Sequence, residues 1–343
     1  MIRRTLHSAK RATGLLAAAA VVPLLLVKRW LYRATGGRWF RAARPGFYRL
    51  LLPRQLFRGM PRMTSSHERA YLEWYARHDF TGAGEIVDLG PWMGATTVAL
   101  ARGLVRNRAP AASRRSIHVY DLFRWEPWMG TLRGTRARSG LEPGDSFRAD
   151  FESFVAPWRE RVEVHEANLE ETAWEGGPIE FLLVDAMKSW RLAAAIVRGF
   201  YGALMPGAYL LQQDFCHHFE YWIHPIHYRL RDHLAPQIDL PFSAGVVFRV
   251  RETLPRELTA ADYRPSSFDE DELQRAFEWA MSIVSRNERP SIAAARLRCI
   301  LEQGGRDAAR SALEELRAAG PLPLEVEAVE NELDEGRSSQ RVA

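Results

Sequence analysis

A chain of 343 residues is long enough for one large domain with additions or for two ordinary ones, and its 47% apolar content is that of a globular protein with a full core. Its two cysteines, Cys216 and Cys299, are far apart in sequence and in no metal-like spacing, so they suggest neither a disulfide framework nor a zinc site. The net charge of +5 is uneven: residues 1–62 hold 14 Lys/Arg and no acid, so the remainder of the chain carries −9. An acidic body argues against nucleic acid as a partner, because backbone binding requires charge that neutralises phosphate.

The basic arm, 1–62, contains the run GLLAAAAVVPLLLV (Gly14–Val27). With Pro23 inside it, that run falls short of the about 20 apolar residues needed to cross a bilayer. Lys28 and Arg29 follow it directly and no small-residue cleavage site appears, which does not fit a secretory signal. Trp30, Tyr32, Trp39, Phe40, Phe47 and Tyr48 are interleaved with arginines. The arm therefore reads as a membrane-surface anchor on a cytoplasmic protein, peripheral on the inner face of the cell membrane.

After the arm, Ser65 is placed to cap a helix, with Glu68 three residues on to complete a capping box. Strand-like and helical stretches then alternate. EIVDLG (Glu85–Gly90) reads as a strand and Ala95–Leu104 as a helix. Ser116–Phe123 is the second strand, followed by a helix near Ser146–Val155. RVEVHEA is the third strand and Ile179–Ala186 the fourth. A helix from about Lys188 to Leu204 ends at Pro206-Gly207, and Ala208–Phe215 follows as a strand. Another helix is expected near Ile226–Leu234, then IDLPF and GVVFRVRE as an antiparallel pair at the sheet's edge. This alternation specifies a Rossmann-like, doubly wound α/β sheet, mostly parallel with an antiparallel edge strand. Past Arg256, residues Asp269–Ser285, Ser291–Gln303 and Asp307–Ala319 have helical apolar spacing. The domains are thus the arm (1–62), the α/β domain (63–255), a helical appendage (256–333) whose last two helices form a hairpin, and a frayed polar tail (334–343).

The turn after the first strand, Gly90-Pro91-Trp92-Met93-Gly94, names the ligand by exclusion. A dinucleotide fingerprint, G-x-G-x-x-G, needs glycine where the backbone approaches a pyrophosphate, and here that position is tryptophan. No Gly-Lys-Ser/Thr follows, so a phosphate-cradling loop is excluded as well. Asp88 would repel a pyrophosphate but suits an ammonium group. S-adenosylmethionine offers a partner for each nearby group. Asp88 and Gly90 lie on its ammonium side, the amides around Met93, Gly94 and Ala95 suit its carboxylate, Asp121 its ribose diol, and Asn168 borders its adenine.

GEIVDLGPWMGATT resembles the glycine motif of the class I SAM-dependent methyltransferases, in particular the macrocin O-methyltransferase family. RSIHVYDLF is similar to that family's second strand, GPIEFLLVDAMKSW to its fourth, and LMPGAYLLQQDF to the turn leading to its Asp-Asp-Tyr. The resemblance spans roughly Gly84–Arg251. It implies methylation of a sugar or other small hydroxylated acceptor, with Asp185 and Asp214 as catalytic residues and as ligands of Mg²⁺. Two departures weaken a magnesium site: Gln213 replaces the first Asp of the pair, and Met187 stands where a second acid is expected. Without metal, His217 or His218 would be the base, oriented by Asp214 or Asp185. The histidines of that segment (His217, His218, His224, His227 and His233) read as a soft transition-metal site, though no pair has the H-E-x-x-H spacing, as pocket wall, or as packing or surface residues. Tyr221 and Trp222 read as a stacking surface or as core, and Trp125 and Trp128 as a lid or as packing. Lys188, the single lysine outside the arm, pairs with Asp185 or a substrate anion, or is simply solvated. The alternative to an enzyme is a non-catalytic SAM-fold protein, tethered to the membrane and assembling through its C-terminal helices. The sequence leaves the oligomeric state open.

Overall fold

The computed structural model describes residues 60–131, 140–240 and 243–334, all within the unit Leu51–Ala343. The arm read as a membrane anchor lies outside the described residues apart from Met60–Arg62, as does the tail beyond Asp334. Among the described residues no helix is long and apolar enough to cross a membrane.

Helix α1 (Ser66–His78) starts where Ser65 accepts the Glu68 amide on its side chain. There follow β1 (Glu85–Leu89), α2 (Ala95–Leu104), β2 (Ile117–Asp121), α3 (Arg148–Val155), β3 (Val162–Glu166) and β4 (Ile179–Val184). The second half of the sheet comprises α4 (Trp190–Phe200), β5 (Leu204–Gln212), α5 (Ile223–Arg229), β6 (Leu234–Asp239) and β7 (Val246–Val250). The last elements of the described residues are α6 (Arg256–Thr259), α7 (Glu270–Ile283), α8 (Arg289–Ala319) and α9 (Leu324–Asp334).

The seven strands lie in the order β3-β2-β1-β4-β5-β7-β6, parallel except for β7, which runs antiparallel to both its neighbours. β4 is buried along its whole length and β1 along all but its first residue, as continuous apolar strands covered on both faces must be. Registers Leu89↔Tyr120, Leu89↔Val184 and Val184↔Gln212 bring the carboxyl ends of β2, β1, β4 and β5 level. The strand order reverses between β1 and β4, the point at which open α/β sheets take their ligands.

Three local readings are corrected. Pro206-Gly207 does not precede the fifth strand but sits inside it. The pairing jumps from Ile179↔Leu204 to Phe181↔Tyr209, and this bulge takes up the proline and a glycine at φ +84°. The antiparallel pair begins earlier than IDLPF, because α5 ends at Arg229 and frees Leu234 to pair with Val250. A helix missed in the sequence, α9, buries Val326, Val329 and Leu333 against Ala309 and Leu313 of α8. α8 itself is broken at Gly305 (φ 78°, ψ −173°), which divides it where two helices were expected. Phe277 and Ala280 of α7, with Ile292, Ala295 and Cys299 of α8, share one buried cluster with Leu210 and Phe248 of the sheet. Arg298, its side chain 1% exposed, is held by both oxygens of Glu332 (2.8 and 2.6 Å) and lies over the Phe219 ring.

Candidate active site

The turn after β1 is shaped by close packing. A Cβ on Gly90 (φ +75°) would meet the Asp185 carbonyl oxygen at 2.5 Å, so this glycine lets β1 and β4 close together at their carboxyl ends. Trp92 and Phe123, at φ 49° and 50°, are the two non-glycine residues with positive φ among the described residues. Such strain costs about 1–3 kcal/mol a residue and persists only where the surroundings hold it. Here the holder is Asp121: its Oδ1 accepts the Phe123 amide (2.7 Å) and its Oδ2 the Trp92 amide (3.3 Å). The carboxylate at the end of β2 is thereby fixed over the glycine turn of β1. Burial pushes the Asp121 carboxyl up to about 6 against these amide bonds.

Asp88 is fully buried. Its Oδ2 accepts the hydroxyls of Thr96 (2.9 Å) and Thr97 (2.7 Å), which ties the strand to the first turn of α2. Its Oδ1 is buried without a hydrogen-bond partner, as is Trp92 Nε1. Burial pushes Asp88 up to about 6, opposed by the two threonines. Met93 is buried, and Gly94 (φ +85°) donates its amide to the Pro91 carbonyl. No side chain caps α2 at Gly94, which leaves its first-turn amides for an anion. Asn168 is exposed and accepts the Glu170 amide on its side chain, forming a turn just beyond β3.

At the ends of β4 and β5 the arrangement differs. Lys188 Nζ donates to Asp185 Oδ1 (3.0 Å) and to Asp214 Oδ2, joining the two carboxylates with one ammonium. The reading of Lys188 as simply solvated is corrected, although its side chain remains 46% exposed. Burial works against the lysine's charge, but Asp214, Asp185 and Glu220 outweigh it and raise its pKa. Burial also holds the Asp185 carboxyl well above the usual carboxylate range, against the pull of Lys188. Glu68 reaches in from α1, where Gln213 Nε2 (3.1 Å) and Ser243 Oγ (3.0 Å) donate to it, and burial pushes it up to about 7. His217 Nδ1 pairs with Glu220, so the carboxylate that orients this imidazole is Glu220 and not Asp214 or Asp185.

Magnesium does not fit this donor set. Both carboxylates expected to bind it are bridged by an ammonium, the side chain of Met187 is sealed in the apolar core, and of Gln213 only the buried Oε1 is left without a partner, its amide nitrogen donating to Glu68. An octahedral ion needs several free hard oxygens. Of the remaining histidines, His224 and His227 are core: Nε2 of His224 donates to the Phe215 carbonyl (2.8 Å) and Nδ1 of His227 to that of Ile223 (2.9 Å). Burial pushes both down to about 4, keeping them neutral. His218 lies 3.5 Å from Arg298 Nε and His233 faces Glu252. Trp222 Nε1 donates to the Met187 carbonyl (2.8 Å) and Tyr221 packs on Trp190. Trp125 is core, whereas the partly exposed Trp128 faces Trp92, ring centroids 6.2 Å apart. Sequence reasoning missed Thr96, Thr97, Glu68 and Glu220; the consecutive threonines one helical turn past the glycine were the available signal.

No protein-family model matches the chain, and no curated protein matches it. Among solved structures, the O-methyltransferase NovP is 17% identical over 54% of this chain and 78% of its own (TM-score 0.39). An O-methyltransferase from Bacillus cereus in complex with SAH is 14% identical over 59% of this chain and 93% of its own (TM-score 0.39). The 23S rRNA methyltransferase ErmE is 12% identical over 69% of this chain and 84% of its own (TM-score 0.34). Likenesses this distant carry no functional weight.

Proposed function

We propose that the protein is an S-adenosylmethionine-dependent methyltransferase that acts on oxygen of a small hydroxylated acceptor, such as a sugar, without a metal ion. One observation carries this reading: Asp121, at the end of β2, is bonded to the Trp92 amide of the β1 turn, beside the uncapped start of α2. A carboxylate and a row of amides therefore meet at the switch point, and tryptophan replaces the glycine that a pyrophosphate requires. The antiparallel β7 between β5 and β6 also departs from the dinucleotide-binding order 3-2-1-4-5-6.

The residues present fit that cofactor. Asp88 Oδ1 and Trp92 Nε1 are buried polar atoms without partners, and Asp121 uses two of the roughly four acceptor positions a carboxylate offers. Asp121 would hold the ribose hydroxyls, the α2 amides the carboxylate, and Asp88 the ammonium side. When bound, the cofactor supplies a methyl group on positively charged sulfur.

The chain's own groups at β4 and β5 address the acceptor. An ammonium has three N–H donors; two of those on Lys188 go to Asp185 and Asp214, leaving one for an acceptor oxygen. Held charged, Lys188 lowers the cost of negative charge developing there. His217, with Nδ1 engaged by Glu220, keeps Nε2 to take the hydroxyl proton. Asp185, bonded to Lys188 through Oδ1, stands beside it as a second group that can take that proton. Transfer of radiolabelled methyl to a panel of sugars, phenols and amines, with and without chelator, tests the reading. Transfer that survives the chelator supports it; transfer only to nitrogen acceptors, or only with added Mg²⁺, contradicts it.

A further inference from the structure

The edge strand β3 carries a second cluster that the methyl-transfer reading does not use. Registers His118↔Glu163 and Tyr120↔His165 place His118 of β2 beside Glu163 and His165 of β3 on one face of the sheet. The geometry points to a binding site for a zinc-type transition-metal ion, held by His118 Nδ1, His165 Nε2 and Glu163 Oε2.

The distances between ligand atoms carry the inference. His118 Nδ1 lies 3.3 Å from His165 Nε2 and 3.4 Å from Glu163 Oε2, and the three atoms all lie within 4.8 Å of one another. Ligands about 2.0–2.2 Å from a tetrahedral ion stand roughly 3.3–3.5 Å from each other. Both imidazoles are fixed by their surroundings. His165 stacks on Tyr120 at 4.4 Å and 12°, and His118 meets the edge of Trp174 at 4.8 Å. Behind the site, the other nitrogen of His118 faces the Glu85 carboxylate at 3.8 Å, beyond hydrogen-bond distance, so this carboxylate adds negative charge near the imidazole without orienting it.

The donor chemistry selects the ion. Two imidazoles and one carboxylate suit zinc, nickel or copper and not magnesium. Burial, with His118 adjacent, pushes the His165 pKa down, which favours the unprotonated form a metal needs. Three protein ligands leave one position to water. Among the described residues β3 pairs only with β2, so an ion shared between them would clamp the sheet's edge.

Full-length, chelator-stripped protein would be titrated with Zn²⁺ in a calorimeter and with Co²⁺ by visible absorption. The expected result is one Zn²⁺ per chain and the intense Co²⁺ spectrum of a four-coordinate site. Binding weakens by about 100-fold in His165→Ala and by at least about tenfold in Glu163→Ala, and is unchanged in His217→Ala. Glu163 is 55% exposed, so Glu163→Ala keeps the fold, which circular dichroism checks. Absence of stoichiometric Zn²⁺ binding leaves a plain imidazole–imidazole hydrogen bond and overturns the inference. Binding that survives both His165→Ala and Glu163→Ala also overturns it.

Discussion

The two sides of the site use the same residue type for different ends. On the β1–β2 side, Asp88 and Asp121 bond to the protein itself: the threonines of α2 and the amides of two strained residues. On the β4–β5 side, Asp185 and Asp214 share a lysine. In the proposed function the first pair builds the shape that receives a nucleoside. The second holds a charge at a partly exposed position, where an acceptor can reach it. Carboxylates at successive strand ends are therefore not equivalent, and what each one bonds to decides its task.

The largest effect is expected on the charged side. Lys188→Met removes the donor left for the acceptor oxygen and should cut kcat by about 10²–10³ while leaving cofactor affinity within a few-fold. Single-turnover kinetics and cofactor titration separate the two.

Next comes Asp88→Asn. Because folding raises this carboxyl from 3.8 to about 6, the folded chain keeps a proton that the unfolded chain releases in that interval. Wild-type stability from this group is present at low pH and is lost as pH rises through about 6. The amide removes that slope, so the variant should gain up to about 3 kcal/mol relative to wild type between pH 4 and pH 8. Urea midpoints across that range read it. A wild-type slope retained in the variant would show that Asp88 is ionised throughout.

Asp121→Asn should weaken S-adenosylhomocysteine by about 1.5–3 kcal/mol with little change in kcat at saturating cofactor, the reverse of the Lys188 pattern. Equal loss of kcat in the two variants would erase the distinction between the sides. Thr97→Val is expected to be mildest, about 1 kcal/mol in urea unfolding, because Thr96 still bonds to Asp88.

The α/β sheet was legible because buried parallel strands are continuous apolar runs and each helix has its own period. The boundaries that failed did so for specific reasons. Pro206-Gly207 looks like punctuation but is absorbed by a bulge, and α9 hides its apolar positions (Leu324, Val326, Val329 and Leu333) among five acidic residues of an eleven-residue segment. The β1–β2 side of the site was readable as Asp-x-Gly followed by a strand-ending acid. The other side was not: a lysine three residues past Asp185 reads as solvated until Asp214 is brought to it from another strand. Glu68, 145 positions from its partner Gln213, gave no local sign of its burial.

The central claim, that the β1 turn receives a sulfonium nucleoside and not a paired phosphate, is tested most directly by calorimetry of wild type and Asp121→Asn with S-adenosylhomocysteine and with NAD. One site per chain for S-adenosylhomocysteine, weakened about 10–100-fold in the variant, and no binding of NAD are the results expected. Binding of NAD in preference, or an S-adenosylhomocysteine affinity indifferent to residue 121, would contradict it.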